Sequence, residues 1–132
     1  MLWPAPGVSQ SQVPASVTSV VSGGFWQSGS QAGRYRVVVV DDGTEHVVSR
    51  VFVEWVRDAE APATGPAVVA SVEPELPFGR GLAVVTAWLR PLKTGQVEVA
   101  LAGVMSVQPS KKVQAVLVAT RPGEVDVVRR GR

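Results

Sequence analysis

The most informative part of the chain is residues 34–56, RYRVVVVDDGTEHVVSRVFVEWV. Two valine-rich runs flank the DDGT segment at 41–44, and valine favours the pleated, half-buried surface of a β-sheet. An Asp-Gly pair between such runs predicts a two-residue type I′ turn, because both central residues of that turn need positive φ. The segment therefore predicts a β-hairpin, in a register that pairs Tyr35 with Arg50.

This register assigns the side chains of the hairpin to two faces. One face carries Tyr35, Val37, Val39, His46 and Val48. The other face carries Val38, Val40, Val47, Val51, Val53 and Trp55. Because both faces are largely apolar, we expect the hairpin to lie in the middle of a sheet, with one face in the core and the other partly covered.

Turn signals recur about every ten residues along the rest of the chain, a spacing typical of a β-sandwich or barrel. We predict strands at 16–21, 34–40, 45–56, 67–72, 82–90, 96–101, 113–120 and 124–128. The GGFW segment at 23–26 predicts a bulge or bend. Turns are predicted at 109–112 and at 121–124, the second of type II because Pro and Gly are its central residues. No segment longer than a turn has a helical period.

These patterns predict an all-β fold: an antiparallel two-sheet β-sandwich of about eight strands, immunoglobulin-like or jelly-roll. A small Greek-key barrel is the alternative. The 132 residues fit one domain with a core that needs neither disulfide nor metal. We expect residues 1–15 to form an extended Pro/Ser-rich N-terminal arm, 16–128 the sandwich, and 129–132 a basic C-terminal tail.

The composition excludes several classes of function. The chain has no cysteine, which excludes a disulfide framework, thiolate catalysis and a cysteine zinc site. A net charge of +2, with an isoelectric point near 9.5, is too small to predict nucleic-acid binding. The longest apolar run, 82–89, is far shorter than a bilayer span, and the proline-containing N-terminus does not match a signal peptide. The compartment is left open, and extracytoplasmic and virion-associated locations are both compatible with this composition.

Candidate catalytic and metal-binding groups are few. The single histidine, His46, follows Glu45 and lies near Asp41 and Asp42, but alternation along a strand directs Glu45 and His46 to opposite faces. A second histidine for the usual transition-metal set is missing, and the two aspartates are what the turn itself requires. No serine lies in a nucleophile elbow. We therefore predict neither enzymatic activity nor a metal or cofactor.

The four tryptophans carry the remaining functional signal. We expect Trp55 and Trp88, which lie within strands, to belong mainly to the core. Exposed aromatic rings stack on sugars and are enriched at interface hot spots. The candidates for interaction residues are Trp3, Phe25, Trp26 and Tyr35.

Three hypotheses follow for the function. The first is a non-catalytic structural or protein–protein interaction β-domain, such as an assembly, virion or cell-surface accessory subunit, that associates with itself or with a protein partner. The second is an extracytoplasmic, carbohydrate-binding-like module that uses exposed aromatic residues. The third is a minimal hydrolase that depends on His46 or on a carboxylate pair such as Glu54 with Glu98.

Overall fold

The structure is a computed structural model, and it describes residues 13–43, 47–60, 65–76, 81–93 and 95–128. Within these residues the chain forms β1 (Val17–Ser28), β2 (Gln31–Asp42), β3 (Val48–Arg57), β4 (Ala67–Val72), β5 (Leu82–Pro91), β6 (Val97–Met105), β7 (Gln108–Ala119) and β8 (Val125–Val128). Each predicted strand overlaps one of these, so the predicted all-β fold is confirmed. The predicted basic tail at 129–132 lies outside the described residues, as does the predicted arm except for residues 13–15.

The strands form two four-stranded antiparallel sheets, in the orders β1-β2-β3-β4 and β5-β6-β7-β8. The predicted two-sheet antiparallel sandwich is therefore confirmed. In both sheets, strands that are consecutive in the chain lie side by side, as short connections favour. Immunoglobulin-like and jelly-roll sandwiches instead contain Greek-key crossovers. The strand order of two successive meanders differs from both.

The core lies between the two sheets and is made of alternate residues along the strands. Its buried members are Trp26, Tyr35, Val37, Val39, Val51, Val53 and Trp55 from the first sheet, and Val97, Val99, Leu101, Ala115, Leu117 and Ala119 from the second. Each buried valine or leucine contributes about 1.5–3 kcal/mol relative to its exposed state. Among the described residues, every buried side-chain nitrogen or oxygen has a hydrogen-bond partner.

The hairpin of β2 and β3 occupies the centre of the first sheet, as predicted, but its predicted register is wrong. Tyr35 pairs with Trp55, and the last pair before the turn is Asp42 with Val48. The shift of five positions along β3 is odd, so it reverses the face that each β3 side chain occupies. In the predicted register, Trp55 and its neighbouring valines would lie on the face opposite Tyr35. Burying them beside Tyr35 contributes several kcal/mol, more than the preference for a tight Asp-Gly turn.

Two β-bulges determine which side chains face the core. The first, between Gly23 and Trp26, was predicted from its two glycines and is confirmed. The second, between Val84 and Thr86, carries no glycine or proline and was not predicted. A bulge inserts one unpaired residue, so the residues beyond it change faces. From Thr86 onwards the side chains of β5 therefore point to the opposite faces from those of a strand without the bulge.

The predicted turn at 109–112 is also wrong, because the chain turns at Ser106 and Val107 instead. Residues 109–112 belong to β7, where Met105 pairs with Gln108 and Val104 pairs with Lys112. The extra residues between these two pairs form a bulge, and Pro109 lies within it. A proline is tolerated there because a bulge does not require its missing N–H for the strand ladder.

Candidate functional site

The structure describes three of the four candidate interaction residues and buries two of them. Trp3 lies outside the described residues. Phe25 is 55% exposed, whereas Trp26 is 1% exposed and Tyr35 is 0% exposed. The expectation that Trp26 and Tyr35 present exposed rings is therefore wrong, and neither ring face is free to stack on a sugar.

Trp26 is buried because of the bulge that precedes it. Gly24 adopts a φ of 70°, a conformation that favours glycine, and the one extra residue in β1 brings Trp26 opposite Gly33. The indole then joins the core, and its Nε1–H donates to the carbonyl of Arg34 at 2.9 Å. Phe25, one residue earlier, is left on the outside of the same bulge.

Tyr35 connects the first sheet to two turns of the second. Its hydroxyl oxygen lies 2.8 Å from the carbonyl oxygen of Gly95 and 2.7 Å from that of Thr120, and it donates its single proton to one of them at a time. Trp55 Nε1 also donates to the Thr120 carbonyl, at 3.3 Å. Burial of the phenol raises its pKa above the ordinary value of 10.0. Tyr35 thus has a structural role at the end of the core.

An open cleft of about 560 Å³ lies beside Phe25. It is lined by Phe25, Trp26, Gln27, Gly95, Gln96, Thr120, Arg121 and Glu124. Phe25 is the exposed ring in this set, while Arg121 and Glu124 form an exposed ion pair at 3.9 Å. With Trp26 buried, the cleft offers a sugar only one exposed aromatic ring, that of Phe25, beside exposed polar side chains.

The described carboxylates do not form a catalytic pair or a metal centre. Glu54 is bound to Arg36 on the outer face of the first sheet, at 2.6 Å, and Glu98 is bound to Arg90 on the outer face of the second, at 3.0 Å. The two glutamates therefore project from opposite sides of the sandwich, so this example of a hydrolytic pair is wrong. Within the described part of the chain, no three His, Cys, Asp or Glu residues are grouped to hold a metal ion; His46 lies outside it.

Among the three tryptophans that the structure describes, the most exposed one lies on the outer face of the second sheet. Trp88 is 53% exposed, so the prediction that it belongs to the core is wrong. The bulge between Val84 and Thr86 is the physical cause, because it turns Trp88 outward and Leu89 inward. Because the sequence of β5 is a continuous apolar run, it does not indicate where inward and outward positions are exchanged, and no residue in it predicts a bulge.

Trp88 begins an apolar row that crosses all four strands of the second sheet. Trp88 pairs with Ala100, Ala100 with Val116, and Val116 with Val128. We call these four residues the Trp88 row. Val116 at its centre is 7% exposed, while Val128 at the far edge is 39% exposed. Side chains directly opposite on neighbouring strands are about 5 Å apart, so the row is an apolar stripe whose accessible surface lies mainly at its two ends, Trp88 and Val128.

A second row, which we call the charged row, runs beside the first on the same face. Its members are Arg90, Glu98, Val118 and Asp126, paired in that order across the strands. The Arg90 guanidinium donates to Glu98 Oε1 through both Nε and Nη2. The positive charge therefore lies at the β5 edge of the sheet, and Asp126 places a negative charge at the β8 edge. The β5 edge and the β8 edge of this face therefore differ in charge.

Other findings bear on the class of protein. In the part of the chain that the structure describes, no helix has the length and apolar character needed to span a bilayer. Comparison of the chain with protein-family models, with curated proteins and with solved structures finds no match.

Proposed function

We propose that this chain is a non-catalytic protein–protein interaction β-domain, and that it binds its partner through the outer face of the second sheet. The observation that carries the proposal is the Trp88 row, an apolar stripe with a half-exposed tryptophan at one edge. In an assembly or accessory subunit, such a face would attach the domain to a neighbour.

The energetics favour Trp88 as the centre of a contact. A tryptophan offers up to about 250 Å² of surface, so the exposed half corresponds to roughly 130 Å². At about 25 cal/mol per Å², its burial would contribute about 3 kcal/mol, the size typical of an interface hot spot. Trp88 is also held in a strand that pairs with β6, so little backbone freedom is lost on binding.

The shape of the surface favours a protein over a small ligand. Small molecules bind in concave pockets that enclose most of their surface. The Trp88 row lies on the face of a sheet, where an apolar centre beside charged residues is typical of protein interfaces. The cleft beside Phe25 is concave, but its exposed lining is largely polar.

A comparison of two alanine substitutions tests the proposal. The chain is immobilised as wild type, as Trp88→Ala and as Phe25→Ala, and each is exposed to a lysate of its source cells. Phe25 is the matched control because it is an equally exposed aromatic on a different surface. We expect a partner that is retained by the wild type and by Phe25→Ala but lost with Trp88→Ala, and that binds purified Trp88→Ala about 100-fold more weakly. Equal retention by all three proteins, or no retained partner, would refute the proposal.

A further inference from the structure

The outer face of the second sheet is asymmetric in two ways that complement each other. In the Trp88 row, the large side chain stands at the β5 edge, and the small side chain of Val128 stands at the β8 edge. In the charged row, Arg90 lies at the β5 edge and Asp126 at the β8 edge. The large and positive ends therefore share one edge of the sheet, and the small and negative ends share the other.

Such a face is complementary to a copy of itself. A two-fold axis that runs parallel to the strands, between β6 and β7, places β5 of one copy over β8 of the other. Each position keeps its height along the strands in this arrangement. Trp88 of one copy then meets Val128 of the second copy, and Arg90 meets Asp126. Both contacts occur twice, as two-fold symmetry requires.

We infer that the partner on this face is a second copy of the chain, packed face to face about that axis. The inference rests on the proposed function, which it deepens by naming the occupant. Sheets packed face to face lie about 10 Å apart with their strands rotated by about 30°, a geometry in which Trp88 spans the gap above the smaller Val128. Each Arg90–Asp126 contact is electrostatically favourable across the interface and fixes the register.

The size of the face predicts a weak dimer. Strands of 9 to 12 residues make up β5, β6 and β7, whereas β8 has 4 residues. With about 4.8 Å between strands and about 3.3 Å per residue, the three long strands cover roughly 15 by 30 Å, and β8 adds a strip about 13 Å long. This footprint is smaller than the ~800 Å² per partner of a standard specific interface, so we expect a dimer that forms with increasing concentration. The exposed Lys111 and Lys112 lie at the far end of β7, so we place the contact on the Trp88 row and the charged row.

The first test is the solution mass of the full purified chain, measured by size-exclusion chromatography with light scattering over a range of concentrations. We expect a species of twice the chain mass of 13.9 kDa. Trp88→Ala removes the contact twice and should raise the dimer dissociation constant more than about 100-fold, whereas Phe25→Ala should leave it unchanged. Melting temperatures of both variants check that the fold is retained.

The second test fixes the arrangement by mixing two charge variants at low salt. Asp126→Arg homodimers would place Arg90 against a second arginine, and Arg90→Asp homodimers would place Asp126 against a second aspartate. Each variant alone should therefore be mainly monomeric. An equimolar mixture restores both Arg–Asp contacts in the heterodimer, so dimers of mixed composition should reappear.

The outcomes separate this inference from the proposed function. A wild-type monomer at every concentration would overturn the self-association, as would a dimer that Trp88→Ala leaves intact. Failure of the mixed variants to dimerise would overturn the two-fold arrangement. If the purified chain is monomeric and a different protein is captured by the wild type but not by Trp88→Ala, the proposed function is supported. The inference that the partner is a second copy of the chain is then wrong.

Discussion

Replacement of Tyr35 by phenylalanine isolates the hydrogen bonds that join the two sheets. The substitution keeps the buried ring, which lies 5.8 Å from the Trp55 ring, and removes the hydroxyl group. The Thr120 carbonyl keeps Trp55 Nε1 as a donor, whereas the Gly95 carbonyl loses the Tyr35 hydroxyl. Gly95 is an exposed residue, so water can replace the lost donor, and an ordinary hydrogen bond contributes about 0.5–1.5 kcal/mol. We therefore expect a loss of about 1 kcal/mol in unfolding free energy.

Urea denaturation followed by tryptophan fluorescence measures this loss. For a chain of 132 residues, a loss of about 1 kcal/mol corresponds to a decrease of roughly 4 °C in Tm. Thr18→Val is the matched control, since Thr18 is exposed and its hydroxyl also donates to a backbone carbonyl, that of Val39. We expect the control to change the unfolding free energy by less than about 0.5 kcal/mol. An equal, small effect of both substitutions would refute the role assigned to the Tyr35 hydroxyl.

The same residue predicts a pH dependence. Because burial raises the pKa of Tyr35 above 10.0 in the folded chain, the unfolded chain loses this proton first as the pH rises. The contribution of the neutral phenol is therefore complete below pH 10 and decreases as the pH rises through the folded-state pKa. Tyr35 is the only tyrosine in the chain, so absorbance of the phenolate reports its titration directly. Above pH 10, the unfolding free energy of Tyr35→Phe should therefore decrease less than that of the wild type. An identical decrease in both proteins would contradict the raised pKa of Tyr35.

Three further substitutions test the packing. Leu117→Ala removes a fully buried core side chain and should lower the unfolding free energy by about 3 kcal/mol in urea denaturation; a loss below 1 kcal/mol would contradict the assigned core. Gly33→Ala would place a methyl group against the carbonyl of Val56, so we expect a large drop in Tm or failure to fold, and a wild-type Tm would contradict the close approach of β2 and β3. Glu54→Gln removes the charge that binds Arg36 at the surface and should change the unfolding free energy by less than about 1 kcal/mol, with the difference decreasing in high salt.

The sequence predicts where the strands lie far better than which way their side chains point. Valine-rich runs between Gly, Pro and Asp give the strand positions, and the predicted strand at 67–72 coincides with β4. The face to which a side chain points depends on the register of its strand, and a register shift by an odd number of residues, or one bulge, reverses it. The register of β2 with β3 and the bulge after Val84 each cause one such reversal.

The candidate site was missed for the same reason. Trp88 follows an apolar run in which either phase buries apolar residues, so its local sequence gives no preference for the outward position. The tertiary context decides it, because Ala87 and Leu89 pack against the core on the other face. Conversely, Trp26 was expected to be exposed because two glycines precede it, yet the bulge that they allow is what turns it inward.

The division of the chain into two successive meanders also affects its synthesis on the ribosome. All four strands of the first sheet have been made by residue 72, but the core strands that cover it, β6 and β7, end only at residues 105 and 119. At roughly 5–20 residues per second, several seconds pass between these points. During that time the apolar face around Val37, Val53 and Trp55 lacks its partner sheet. Until the second sheet has been synthesised, that face is therefore open to non-native contacts of the kind that lead to aggregation.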